Sequence, residues 1–195
     1  MGEGDVEVGG PVGRSGNVRG VVLAAGAGTR YGMPKILAHQ GEWLTIAVSA
    51  LRDGGCPEVT VAMGAAVVSA PTGASAIVVP DWSDGMGSTV AAVLRAARNE
   101  SRLAGVLLHV VDTPDVGADV VARVLSAAEG HRSVLARAVF DGRPGHPVYI
   151  GIDHIDGVLA VVGGEVGARA YLRDRADVVD VECGDLATGA DVDVE

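Results

Sequence analysis

Short apolar runs alternate along this chain with segments whose apolar residues recur every three or four positions. The runs fall at 18–23, 59–63, 76–79, 105–111, 133–139, 147–150 and 178–181, and their length and β-branched content read as strands. Segments with helical spacing lie between several of them, at 44–52, 87–98, 118–128 and 166–173. Unbroken runs such as GVLLHVV leave no face for water, which suits strands covered on both sides in a mainly parallel sheet. Strands alternating with helices predict an α/β fold in three layers, of doubly wound type. Before the pattern starts, residues 1–17 carry six glycines and no periodicity. They read as a flexible N-terminal arm, leaving 18–195 as a single domain.

Composition narrows the function. A chain of 195 residues can bury one substantial core, and with aromatics at only 3% that core must be filled by Val, Ala and Leu. A formal net charge of −10 argues against nucleic acid as a partner, because little here could replace the counterions of a phosphate backbone. There is no basic stretch for a membrane surface and no apolar run near the eighteen or so residues that span a bilayer. Cys56 and Cys183 stand far apart with no CxxC spacing and read as free thiols, which together with the absence of a leader-like N-terminus suggests a cytoplasmic protein.

The chemistry concentrates after the first strand, in VVLAAGAGTRYGMPK (21–35). Gly26, Gly28 and Gly32 make a loop whose amides can approach a phosphate with no Cβ in the way. It is not a P-loop, since Lys35 follows Pro34 and precedes Ile36. Nor is it a dinucleotide fingerprint: the spacing is GxGxxxG, and the second strand ends at Met63-Gly64 without a ribose-binding acid. Pro34 opposes immediate helix entry, so the loop is expected to be long enough to wrap a triphosphate. Lys35 is the one lysine in a chain with fourteen arginines. Its retention here suggests a site that wants a compact ammonium and not a planar fork.

LAAGAGTRYGMPK resembles the LAAGxGxRxGxxK signature of the MobA/MocA-like nucleotidylyltransferases. PDWSDGMGSTVAAVLRA, VLLHVVDTPDV, RPGHPVYIG, GGEVGARAYL and ADVDVE resemble further family segments in the family's order, with Glu165 where the family usually has Asp. The resemblance covers the chain from about Val18 onward and implies a Rossmann-like nucleotidyltransferase fold. The nearest branch is similar to molybdenum cofactor cytidylyltransferase, which implies Mg²⁺-dependent transfer of CMP from CTP to molybdopterin, with a molybdoenzyme as a potential client. Carried onto this sequence, it implies a nucleotide pocket of Leu23, Ala24, Ala25, Gly26, Gly28, Thr29, Gly85, Met86 and Ser88.

Charge accumulates on oxygens when an α-phosphate is attacked and pyrophosphate leaves, so catalysis is mainly positioning and cations. Arg30 and Lys35 can supply donors beside the loop amides. Asp112 lies at the C-terminal end of an apolar strand, where open α/β sheets bind ligands. Asp191 and Asp193 are two residues apart, so in an extended segment both carboxylates share a face. Asp112, Asp191 and Asp193 are therefore the expected Mg²⁺ ligands, as hard oxygen donors. A phosphate monoester acceptor is already anionic and needs no general base. His109, within an apolar strand, reads as a core histidine with a satisfied hydrogen bond, and His146 either orients the acceptor or is structural. Ser88 serves a ribose or phosphate, or is a plain helix cap. Two alternatives remain: a GTP- or other NTP-using transferase on the same fold, and a non-catalytic nucleotide-binding assembly factor for a molybdoenzyme.

Ala24-Ala25 before Gly26 resembles the cytidylyl branch, whose guanylyl relatives tend to carry a glycine pair there. CTP with Mg²⁺ should therefore raise the melting temperature more than GTP, ATP or UTP, by mass action on the folded state. Equal or greater stabilisation by GTP would reverse this assignment.

Overall fold

The computed structural model describes residues 17–193. The expected N-terminal arm therefore lies, but for Asn17, outside the described residues. Seven strands form one sheet: β1 (Asn17–Ala24), β2 (Glu58–Met63), β3 (Ala74–Val78), β4 (Leu103–Val110), β5 (Leu135–Phe140), β6 (Arg143–Gly151) and β7 (Val178–Glu182), in the order β3-β2-β1-β4-β6-β5-β7. Every expected strand is present within a few residues of its predicted ends. Neighbouring strands run parallel except on both sides of β6, which is antiparallel to β4 and to β5. The sheet is thus mainly parallel, with one reversed strand; Asp141-Gly142, both at positive φ, is a two-residue hairpin turn that the reading of apolar runs did not use. The short turn from β5 to β6 explains the reversal, because a parallel return would need a crossover of a dozen or more residues.

Five helices cover the sheet: α1 (Glu42–Asp53), α2 (Met86–Arg98), α3 (Ala118–Ala128), α4 (Ile155–Leu159) and α5 (Arg169–Leu172). Alternate residues of each strand divide between two cores. Val22, Val61, Leu107 and Tyr149 point to the side of α1 and α3, where they meet Leu44, Leu51, Val121 and Val124. Val21, Ala62, Val106, Leu108 and Ile150 point to the side of α2, α4 and α5, against Leu94, Val158 and Leu172. This period-2 division, buried on both faces, is the three-layer arrangement expected of continuous apolar strands. The helix read over 166–173 is shorter than its pattern, because Gly163 and Val166 instead close a tight bridge and the helix begins only at Arg169. Directly after Pro34 a 3-10 turn spans Lys35–Gly41, so the proline ends the glycine loop and caps the next element without lengthening the loop further.

His109 departs from expectation in a different way. It is fully buried in β4, and neither ring nitrogen has a hydrogen-bond partner in the protein. Burial above all, then the proximity of His146, pushes its pKa from 6.5 to about 3. The folded chain keeps this imidazole neutral while the unfolded chain protonates it below about pH 6.5. Its depressed pKa therefore costs no stability above that pH and progressively destabilises the fold as the pH falls toward 3. Urea unfolding of the parent should lose about 2 kcal/mol between pH 7 and pH 5 through this group. His109→Leu should flatten that part of the acid limb, and an unchanged pH slope in the variant would show that His109 does not set it.

Candidate active site

The strand order reverses at the β1–β4 pair, since β2 and β3 continue to one side and β6, β5 and β7 to the other. A cavity of about 610 Å³ opens at the C-terminal ends of β1 and β4, the place where doubly wound sheets take their ligands. Its size is that of ligand pockets in general. Leu23, Ala24 and Ala25 lead into it from β1, and Val110, Val111 and Asp112 from β4. The glycine loop forms one wall. Its far end is pinned by Tyr31, whose buried ring packs on Trp43 of α1 at 5.3 Å, and by the buried side chain of Ile36. Gly28 takes φ +61°, and a Cβ there would overlap the carbonyl oxygen of Met33, so glycine is required on both counts. At Gly26, by contrast, a Cβ would meet nothing within 4 Å. Among the described residues, the amides of Gly26, Ala27, Gly28 and Thr29 donate to no protein acceptor. Four consecutive free donors at the cavity wall suit phosphate oxygens.

The opposite rim is the start of α2. Gly85 (φ +116°) and Gly87 let the Gly163–Val166 turn press directly on the helix, and the Gly87 amide donates to the Gly164 carbonyl at 2.7 Å. This contact brings Glu165 to the cavity beside Met86. Ser88 does not reach the cavity wall. One residue on, a helix has turned by about 100°, and Thr89, itself buried, lines the wall in its place. The Ser88 amide donates to Gly85, so it is spent on the helix start. Of the other expected pocket residues, Leu23, Ala24, Ala25, Gly26, Gly28, Thr29, Gly85 and Met86 all line the cavity, together with Arg30, Lys35, Asp112, Asp191 and Asp193.

The acidic groups arrive from two directions. Asp112 follows β4. The segment around 188–193 is clasped to the β4–α3 loop, where Asp115 accepts from the amides of Thr188 and Gly189 and from the Thr188 hydroxyl. Val192 donates its amide to the Asp112 carbonyl at 2.9 Å and packs its side chain against the core. With Val192 turned inward, Asp191 and Asp193 both face the cavity, as their spacing predicts. Lys35 Nζ donates to Asp112 Oδ2 at 2.8 Å and to Asp193 Oδ1 at 3.0 Å, while Arg30 Nη1 reaches Asp193 Oδ2 at 3.3 Å. Burial works against the Lys35 ammonium, but the two carboxylates outweigh it and its pKa lies above the ordinary lysine value. The Lys35 hydrogen bond holds the Asp193 carboxyl below its usual range. Asp191 is pushed the other way, by burial first and by Asp112 next. His146 lines the same cavity with its Nδ1 set 3.3 Å from the Leu108 carbonyl, and burial lowers its pKa. The donating tautomer at Nδ1 leaves Nε2 as an acceptor. Tyr31, Ile36 and Thr89 also line the cavity; Tyr31 and Thr89 lie inside segments the sequence assigned to the site without being singled out, and Ile36 carried no signal of its own.

The MobA-like NTP transferase domain model matches residues 20–179. The chain belongs to this family of nucleotidyltransferases. It is 37% identical over 190 residues to nicotine blue oxidoreductase of Paenarthrobacter nicotinovorans, covering 90% of this chain and 92% of that one. Among solved structures it is similar to Rv0371c of Mycobacterium tuberculosis H37Rv in complex with manganese, with TM-score 0.69, 23% identity, and 90% and 94% of the two chains covered. A nucleotidyl transferase from Methanothermobacter thermautotroptrophicus matches with TM-score 0.65, 16% identity, and 86% and 88% coverage. At such identities these structures establish the shared Rossmann-like fold.

The conformation of the glycine loop can be tested at Gly28. Gly28→Ala must move the Met33 carbonyl and strain a positive φ, so affinity for a nucleoside triphosphate should fall by about tenfold or more. The same strain, about 1–3 kcal/mol, should lower the melting temperature of the nucleotide-free protein by several degrees. An undiminished CTP-induced thermal shift in the variant would remove the loop from the nucleotide site.

Proposed function

We propose that this nucleotidyltransferase is a divalent-metal-dependent enzyme that transfers CMP from CTP to a phosphate-bearing acceptor of the molybdopterin type, releasing pyrophosphate. The observation that carries this reading is the meeting of Lys35 with Asp112 and Asp193 in the same cavity as four unpaired loop amides. The loop offers donors to phosphate, and the carboxylates already converge on a cation. The donor set is entirely hard oxygen, which fits Mg²⁺. Asp112 and Asp193 would hold the ion, with Asp191 beside them, and the ion would supply charge neutralisation on the phosphate oxygens.

This chain's own residues do the remaining work. The amides of Gly26 to Thr29 orient the triphosphate, and Arg30 and Lys35 draw off the charge that grows toward the departing pyrophosphate. The buried Thr89 and the first turn of α2 close the opposite side. An anionic acceptor oxygen attacks the α-phosphorus, the bond from that phosphorus to the bridging oxygen breaks, and pyrophosphate leaves with both electrons. No proton has to be removed first. His146, held neutral with its Nε2 as acceptor, is suited to orient the acceptor. Nucleotide pools and two free, buried thiols favour a cytoplasmic setting.

A second reading is favoured by the 37% identity to a relative named as an oxidoreductase. On that reading the same cavity, which Trp82 and His146 also line, takes an electron donor and a redox acceptor. Two assays on one preparation separate the readings. Pyrophosphate release from CTP and a molybdopterin-type acceptor with Mg²⁺, with a loss of about 10²-fold in Asp112→Asn, is the expected result. Oxidation of NADH or NADPH by a heteroaromatic acceptor, without any pyrophosphate from any NTP, would establish redox chemistry instead.

A further inference from the structure

Lys35 does more here than wait for a phosphate. Its Nζ lies within 2.8 Å of one carboxylate and 3.0 Å of another, in the position a metal ion shared by Asp112 and Asp193 would take. The Lys35 side chain is only 13% exposed, so this is a held ammonium and not a passing surface pair. Among the described residues, no three His, Cys, Asp or Glu side chains converge as a metal-binding group. The same distances give the reason: Asp112 and Asp193 are both turned toward the lysine.

We propose that Lys35 guards the metal position, so that a divalent cation can engage Asp112 and Asp193 together only after a nucleoside triphosphate has drawn the ammonium away. The choice of triphosphate as the displacing ligand rests on the function proposed above. A divalent ion entering between the two carboxylates would meet a like charge already in hydrogen-bond contact with both. A triphosphate against the loop amides offers that ammonium a competing set of anionic oxygens. Lysine can make the exchange because its charge rides on four rotatable carbons, while its backbone is fixed at the start of the 3-10 turn after Pro34. In the free protein the same ammonium keeps two carboxylates from repelling each other. Nucleotide therefore builds the metal site, and metal without nucleotide finds it closed.

Two measurements test this. In the first, Mn²⁺ is titrated into nucleotide-free protein and the free-ion paramagnetic resonance signal is followed. Lys35→Met should bind Mn²⁺ about tenfold more tightly than the parent, the scale of two released charge contacts near the surface. Adding Asp112→Asn to that variant should abolish the gain. Equal Mn²⁺ affinity in parent and Lys35→Met overturns the proposal. The second measurement uses the parent alone and does not depend on any variant folding. Lys35 is the only lysine in the sequence, so protein labelled with ¹⁵N-lysine has a single side-chain ammonium resonance. That resonance should move on adding CTP and stay in place with Mg²⁺ alone. Displacement by Mg²⁺ alone overturns the guarding role. A gain in Mn²⁺ affinity in Lys35→Met, with no response of the resonance to any NTP, would uphold the guard and refute the nucleotide reading.

Discussion

A single ammonium between two carboxylates organises this molecule. The protein carries a formal charge of −10, and its cavity gathers Asp112, Asp191 and Asp193 within one wall. Like charges brought together in a partly buried site repel one another unless a cation stands among them. Lys35 is that cation, and everything around it serves to place it. Tyr31 and Ile36 anchor the loop that leads to it, Pro34 starts the turn that presents it, and Val192 fastens the strap that brings Asp193 across. None of these contacts is strong alone. Together they fix the relation between the end of β1, the end of β4 and a segment nearly eighty residues further on.

The parts of this arrangement that were legible in the sequence are those governed by local rules. Continuous apolar runs foretold the two-sided burial of the sheet, since a strand with no polar face has nowhere to meet water. The Asp-Val-Asp spacing foretold that both acids would face one way. The glycines of the loop could be read because a bulky residue there would forbid close approach to a ligand. Lys35 stood out twice, as the one lysine in an arginine-rich chain and as the closing residue of the LAAGxGxRxGxxK signature.

Other features depend on contacts across the fold and left no local trace. The reversal of β6 is the exception, since the Asp141-Gly142 hairpin just before RPGHPVYIG is a local signal that went unused. Ser88 and Thr89 are adjacent and equally polar, and only the rotation of α2 against the sheet decides which one meets the cavity. Gly85 and Gly87 looked like part of a ligand turn; the structure shows that they also admit the Gly163–Val166 turn against the helix. His109 was expected to satisfy its ring nitrogens, yet on the face of β4 it shares with Leu107 and Val111 neither nitrogen finds a partner. In these other cases the deciding atom belongs to a residue far away in the chain.

The clasp between Asp115 and the 188–189 backbone has a consequence for the order in which the protein is made. Asp191 and Asp193 leave the ribosome 79 and 81 residues after Asp112, by subtraction of their positions. At about 5–20 residues per second, that separation is several seconds or more of synthesis. Four of the seven strands precede Asp112, and the other three become available to pair while the cavity still lacks two of its three aspartates. The nascent sheet can therefore consolidate before the full load of negative charge reaches it. Among the described elements the strap comes after all seven strands, onto a Lys35 already made.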